Sequence, residues 1–172
     1  MQTENSIINT IGEILKQNKQ TIAVAESCTG GNIAHRITEI AGVSSFFKGG
    51  VVAYCNEIKN RVLNVSYQTL QQYGAVSEQT AKQMAQGVLK LYDTDYAIST
   101  TGLAGPDSDG TNTEVGTVFI CFADKKGTTI IKRCCFKTNR TDFINKVSYL
   151  ALSLVLQNII ITRKNLLISE NN

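Results

Sequence analysis

The hydrophobic pattern changes period twice near the start of the chain. Ile7, Ile8, Ile11, Ile14 and Leu15 recur at helical spacing and predict an amphipathic helix over 6–18, with Ser6 placed as its N-cap. Thr21-Ile22-Ala23-Val24-Ala25 then runs apolar without a break, as a buried strand does. The run ends at Glu26-Ser27-Cys28-Thr29-Gly30-Gly31, and helical spacing resumes with Ile33, Ala34, Ile37 and Ile40. A strand that passes through a glycine-bearing turn straight into a helix is an α/β unit, and the rest of the chain has to be compatible with it.

The remaining pattern extends that unit. Gly49-Gly50 open a second predicted strand, Val51 to Cys55, followed by a short polar helix to about Asn64 and another near 66–73. Ser77 begins a longer helix, with Ala81, Met84, Ala85, Val88 and Leu89 on one face. A third strand spans Asp95 to Thr101, and the polar loop after Pro106 reaches Glu114. Val115–Ala123 and Thr128–Lys137 read as a hairpin around Asp124-Lys125-Lys126-Gly127. The last helix is expected from Arg140 to about Ile160. Its Leu152 and Leu156 fall opposite the main apolar stripe, so a helix buried on two faces, and self-association as a dimer, are expected. Helices alternating with strands, closed by a hairpin, predict a single-domain, three-layer α/β/α fold with a mixed sheet over residues 1–162, followed by a flexible tail over 163–172.

Composition narrows the class. With 172 residues, 42% hydrophobic and 18% charged, the chain can bury a core without disulfide or metal staples. Its longest apolar run, Tyr149 to Ile161, is interrupted by Ser153, Gln157 and Asn158, so no membrane span is expected. The N-terminus has neither the basic region nor the apolar core of a signal peptide, which makes a cytoplasmic location the expectation. Five cysteines without a Cys-x-x-Cys pair and a lone histidine predict buried thiols rather than a metal site. Charge is uneven: residues 1–124 carry 8 Lys/Arg against 12 Asp/Glu, and residues 125–172 carry 9 against 2. That asymmetry fits either a solvated hairpin and tail or an anionic substrate. With no tryptophan to stack bases, nucleic acid is not the expected partner.

The most loaded segment is Ala25 to Gly31. A serine between a buried strand and a helix start sits beside unpaired backbone N–H groups and the positive end of the helix. Such a turn can cradle a phosphate, or it can stabilise the oxyanion formed when Ser27 attacks a carbonyl. His35 lies eight residues on, about 12 Å along the helix axis, too far to be the base. A lysine base is the remaining option, and it must be neutral to act. Lys59 and Tyr54 fall near one predicted sheet end, although by its type Lys59 reads first as a solvated helix lysine. Cys28 is a secondary candidate nucleophile.

Five motifs in order, covering about residues 6–160, resemble the CinA C-terminal domain family. They are Ala25 to Gly31, Tyr54 to Lys59, Tyr73 to Ser77, Thr101 to Pro106 and Val115 to Val118. The resemblance implies hydrolysis of the carboxamide of nicotinamide mononucleotide to nicotinic acid mononucleotide and ammonia, with no cofactor and no metal. It implies Ser27 as nucleophile, Lys59 as its base and Tyr54 beside them. It also implies substrate contacts from Thr29, Gly30, Gly31, Ser44, Gly102 and Arg140. The segment after Pro106 departs from the family pattern: Asp107-Ser108-Asp109-Gly110 and Thr113-Glu114 stand where members carry glycines and a Lys-Pro pair. This keeps two alternatives open, a nucleotide-binding protein that does not hydrolyse its ligand and an amidase for another small amide.

Overall fold

In the computed structural model the chain is described over residues 4–170, with side chains described over 6–162. Helix α1 (Glu4–Gln17) leads into β1 (Ile22–Glu26), α2 (Asn32–Thr38), a 3₁₀ turn (Val43–Ser45) and β2 (Phe47–Val52). Three helices follow, α3 (Asn56–Leu63), α4 (Tyr67–Tyr73) and α5 (Glu78–Tyr92). Then come β3 (Tyr96–Gly102), the hairpin β4 (Thr117–Asp124) and β5 (Thr129–Cys135), and α6 (Arg140–Glu170). The strands form one mixed sheet in the order β2-β1-β3-β4-β5. β2, β1 and β3 are parallel, and β4 and β5 complete the sheet antiparallel.

The layers are those expected. On one face α1, α2 and α6 bury Ile8, Leu15, Ile33, Phe143 and Val147 against Val24, Ile98 and Ile120. On the other, α3, α4 and α5 cover Ala23, Ala25 and Ala97 with Leu63, Leu70, Met84 and Val88. α5 starts at Ser77, whose hydroxyl accepts the Thr80 N–H, and α4 is capped in the same way by Ser66.

Some expectations are corrected. α1 begins at Glu4, so Ser6 is not its cap; the Ser6 carbonyl accepts the Thr10 hydroxyl at 2.8 Å. Gly49 and Gly50 lie inside β2 rather than before it, because β2 lies so close to β1 that a Cβ on Gly50 would stand 2.4 Å from Val24 Cγ2. β2 is an edge strand with alternating burial, and Tyr54 lies beyond its end. Leu152 and Leu156 are buried within this chain, in the cluster that includes α1, which removes the reason for invoking a partner. α6 passes Ile160 and carries the backbone to Glu170, through most of the expected tail; the side chains of 163–170 and residues 171–172 lie outside the described residues. By length and composition Arg140–Thr162 is apolar enough to cross a membrane, contrary to expectation, yet nearly half of its most apolar window is buried inside the fold.

Candidate active site

Parallel β1, β2 and β3 end together at one pole, where clefts form in open α/β sheets. Glu26 pairs with Val52 on one side and Thr100 on the other. The chain then leaves the sheet, fixed by the Ser27 N–H on the Thr100 carbonyl at 2.9 Å and the Ala53 N–H on the Glu26 carbonyl at 2.7 Å. Ser27 is thus held rigidly at the rim.

Lys59 reaches it from the other helical layer. Its Nζ lies 3.0 Å from Ser27 Oγ, 2.7 Å from the Ala53 carbonyl and 3.5 Å from the Tyr54 carbonyl. Only 1% of the residue is exposed. The solvated lysine expected from its residue type is therefore a core lysine, carried on a helix, α3, that packs against α5. A Cβ on Gly87 of α5 would lie 1.9 Å from the Leu63 carbonyl, so only glycine allows that approach. Burial lowers the Lys59 pKa, partly opposed by the neighbouring Cys55 and Cys28 thiols. Burial likewise pushes the Cys28 thiol up to about 12, which makes it a poor nucleophile beside Ser27.

The α2 N-terminus is not the open anion cradle that its glycines suggest. Glu26, fully buried, turns its carboxylate into it: Oε2 accepts the N–H groups of Gly31 at 3.1 Å and Ile33 at 3.0 Å, and Oε1 accepts that of Ala34 at 2.8 Å. The Gly30 N–H goes to the Ser27 carbonyl at 3.1 Å. Gly30 and Gly31 are therefore committed to holding the turn, with left-handed φ of 61° and 99°, and their N–H groups face neither a phosphate nor an oxyanion. The N–H groups of Cys28 and Thr29 take no part in this cap. Glu26 was not singled out from sequence; a carboxylate so far ahead of the helix matches no standard capping pattern.

A cleft of about 270 Å³ opens over Ser27 and Lys59. Gly102 at the end of β3 and Leu103 and Ala104 just after it line the cleft, as do Ala75 and Val76 before α5. Tyr54, Asp109 and Arg140 also line it. Arg140, the first residue of α6, donates to the Gly105 carbonyl at 2.8 Å and to the Tyr54 hydroxyl at 2.5 Å. The Tyr54 hydroxyl is thus engaged with Arg140; toward Lys59 it is the Tyr54 carbonyl that turns. Thr29 is buried, its hydroxyl 2.8 Å from that of Thr100. Ser44 is not brought here: its 3₁₀ turn precedes β2 and lies at the opposite pole of the sheet. His35 is exposed beside Glu39, as its position on the helix predicts. Two larger hollows, of about 500 and 560 Å³, lie elsewhere and contain neither Ser27 nor Lys59. Among the described residues no three His, Cys, Asp or Glu side chains gather where they could hold a metal ion.

The family model of the CinA C-terminal domain matches residues 4–159. A CinA-like protein of Endomicrobium trichonymphae is 46% identical over 156 residues, which is 91% of this chain and 36% of that protein. The chain spans about a third of the length of such CinA-like relatives. Nicotinamide-nucleotide amidohydrolase PncC of Escherichia coli K12 is 43% identical over 147 residues, 86% of this chain and 89% of that protein. Among solved structures, the competence or damage-inducible protein from Enterobacter asburiae superposes with a TM-score of 0.89 at 28% identity, covering 92% of this chain and 99% of the other. The competence damage-inducible protein A from Klebsiella pneumoniae gives 0.88 at 31%, covering 92% and 98%.

Proposed function

As the chain belongs to the CinA C-terminal domain family, we propose that it is an amidohydrolase that converts nicotinamide mononucleotide to nicotinic acid mononucleotide and ammonia. The observation that carries this reading is the buried contact of 3.0 Å between Lys59 Nζ and Ser27 Oγ. A neutral amine has two N–H donors and one lone pair. The Ala53 and Tyr54 carbonyls can take the two donors, and the Ser27 hydroxyl then donates to the lone pair.

In the first step Ser27 Oγ bonds to the carboxamide carbon while its proton moves to Lys59. The tetrahedral oxyanion needs preorganised donors, and the Cys28 and Thr29 N–H groups beside Ser27 are the ones the Glu26 cap leaves over. Lys59 then gives its proton to the amide nitrogen, the C–N bond breaks and ammonia leaves. Water, deprotonated by the same amine, opens the resulting ester and restores Ser27. Arg140 uses two of its five N–H donors on Gly105 and Tyr54, so others stay available for the 5′-phosphate.

The test is ammonia release from nicotinamide mononucleotide by the purified protein beside Ser27→Ala and Lys59→Ala. Turnover that survives chelation and is lost in both variants is expected. Tight nucleotide binding with no ammonia from the parent protein would overturn the hydrolytic reading in favour of a nucleotide-binding role.

A further inference from the structure

The cleft over Ser27 carries one fixed cation and one anion at its edge. Arg140 supplies the first, and Asp109, from the loop between β3 and β4, supplies the second. Asp109 is held in a tight turn of its own: Oδ1 accepts the Thr111 N–H at 3.0 Å and the Thr111 hydroxyl at 2.6 Å. Those two bonds hold its carboxyl below the usual carboxylate range, so it is ionised at neutral pH. Both use Oδ1, which leaves Oδ2 outside the turn. Asp107, two residues earlier, does not line the cleft.

A dianionic phosphate entering this mouth is attracted by Arg140 and repelled by Asp109. A ribose hydroxyl is not repelled, and a carboxylate is a good acceptor for it. We propose that Asp109 is a specificity-determining residue that lowers the preference of this site for a phosphorylated nucleotide over the corresponding nucleoside. The proposal rests on the amidohydrolase reading and names the substrate feature which that site discriminates.

The experiment compares the parent protein, Asp109→Asn and Asp107→Asn, with nicotinamide mononucleotide and nicotinamide riboside as substrates. Asparagine keeps an oxygen for the Thr111 bonds, so the turn persists. Asp109→Asn should raise the nucleotide-to-nucleoside ratio of kcat/KM by about five-fold or more, mostly through KM for the nucleotide. With Arg140 then unopposed, that KM should rise more steeply between low salt and about 0.3 M salt than in the parent. Asp107→Asn should change the ratio by less than about two-fold, since it alters charge in the same loop but not in the cleft. An unchanged ratio in Asp109→Asn, or an equal change in Asp107→Asn, would overturn the proposal. Calorimetric affinities of both ligands, measured in Ser27→Ala with and without Asp109→Asn, separate the two readings. Absence of ammonia in every protein defeats the hydrolytic reading, while the affinity ratio still decides the role of Asp109.

Discussion

A buried ammonium must be matched by charge or lose its proton, and the three neighbours of Lys59 Nζ are all uncharged: two carbonyls and a hydroxyl. Burial therefore shifts the equilibrium toward the amine, and with a lowered pKa the neutral fraction grows as pH rises. The sign for catalysis follows directly. kcat/KM for ammonia release should climb with pH through the lowered Lys59 pKa and level off above it, and a profile flat across that range would remove Lys59 as the base. Lys59→Arg gives the sharper contrast, because a guanidinium stays protonated and cannot accept the Ser27 proton. A loss of about 10²–10⁴-fold is expected, in the range that general bases contribute, read from steady-state ammonia release. Little of this was legible at the residue itself. Glu57, Asn60 and Arg61 around Lys59 spell a solvated helix, whereas the side chain that its amine meets, Ser27, stands 32 residues away at the end of another strand.

Two short elements carry the site, and each depends on one residue that sequence patterns undervalue. α2 starts at a glycine with no side-chain cap, and its first turn is satisfied by the Glu26 carboxylate from within β1. Removing that carboxylate orphans three N–H groups in a buried place. Glu26→Ala should cost on the order of 3 kcal/mol and Glu26→Gln less, measured by urea unfolding, since an amide oxygen still accepts. If Glu26→Ala unfolds at the parent midpoint, the cap contributes nothing. α3 depends on Gly87 in the same way. Alanine is the better helix former by about 1 kcal/mol, yet its methyl would collide with the Leu63 carbonyl. Overpacking at about 1–3 kcal/mol should win, so Gly87→Ala should be less stable than the parent and should lose activity as α3 and Lys59 are displaced. A more stable and fully active Gly87→Ala would show that the helices separate freely. Element types and order were readable from period changes together with turn residues such as Asp124-Lys125-Lys126-Gly127. The start of β2 was not, because Gly49-Gly50 carry the same turn signal whether they precede a strand or lie within one that packs tightly.

At the scale of the whole molecule the site joins distant parts of the chain. Ser27 follows the first strand and Lys59 the second helix layer, while Arg140 bonds Tyr54 across 86 residues. Motif order showed which residues to watch but not which would meet: Arg140, Tyr54 and Ser27 line one cleft, whereas Ser44, one strand away in sequence, ends at the other pole. Parallel strands explain the difference, since a residue before β2 and a residue after β1 must lie at opposite ends of the sheet. A ligand that spans Ser27 and Arg140 therefore touches the parallel half of the sheet and the first turn of α6 at once. In Ser27→Ala, where turnover is blocked, nicotinamide mononucleotide at 100 times its Kd should stabilise the fold by about 2.7 kcal/mol. For a chain of this size that is a rise of about 5–10 °C in Tm. Helical ellipticity and the hydrogen-exchange protection of β1 should shift together, because one core, holding α1, α2 and α6 on β1, β3 and β4, links both halves. If α6 melted at its ligand-free temperature while β1 was stabilised, Arg140 would not be part of the bound site, and the phosphate would have to be held by another group.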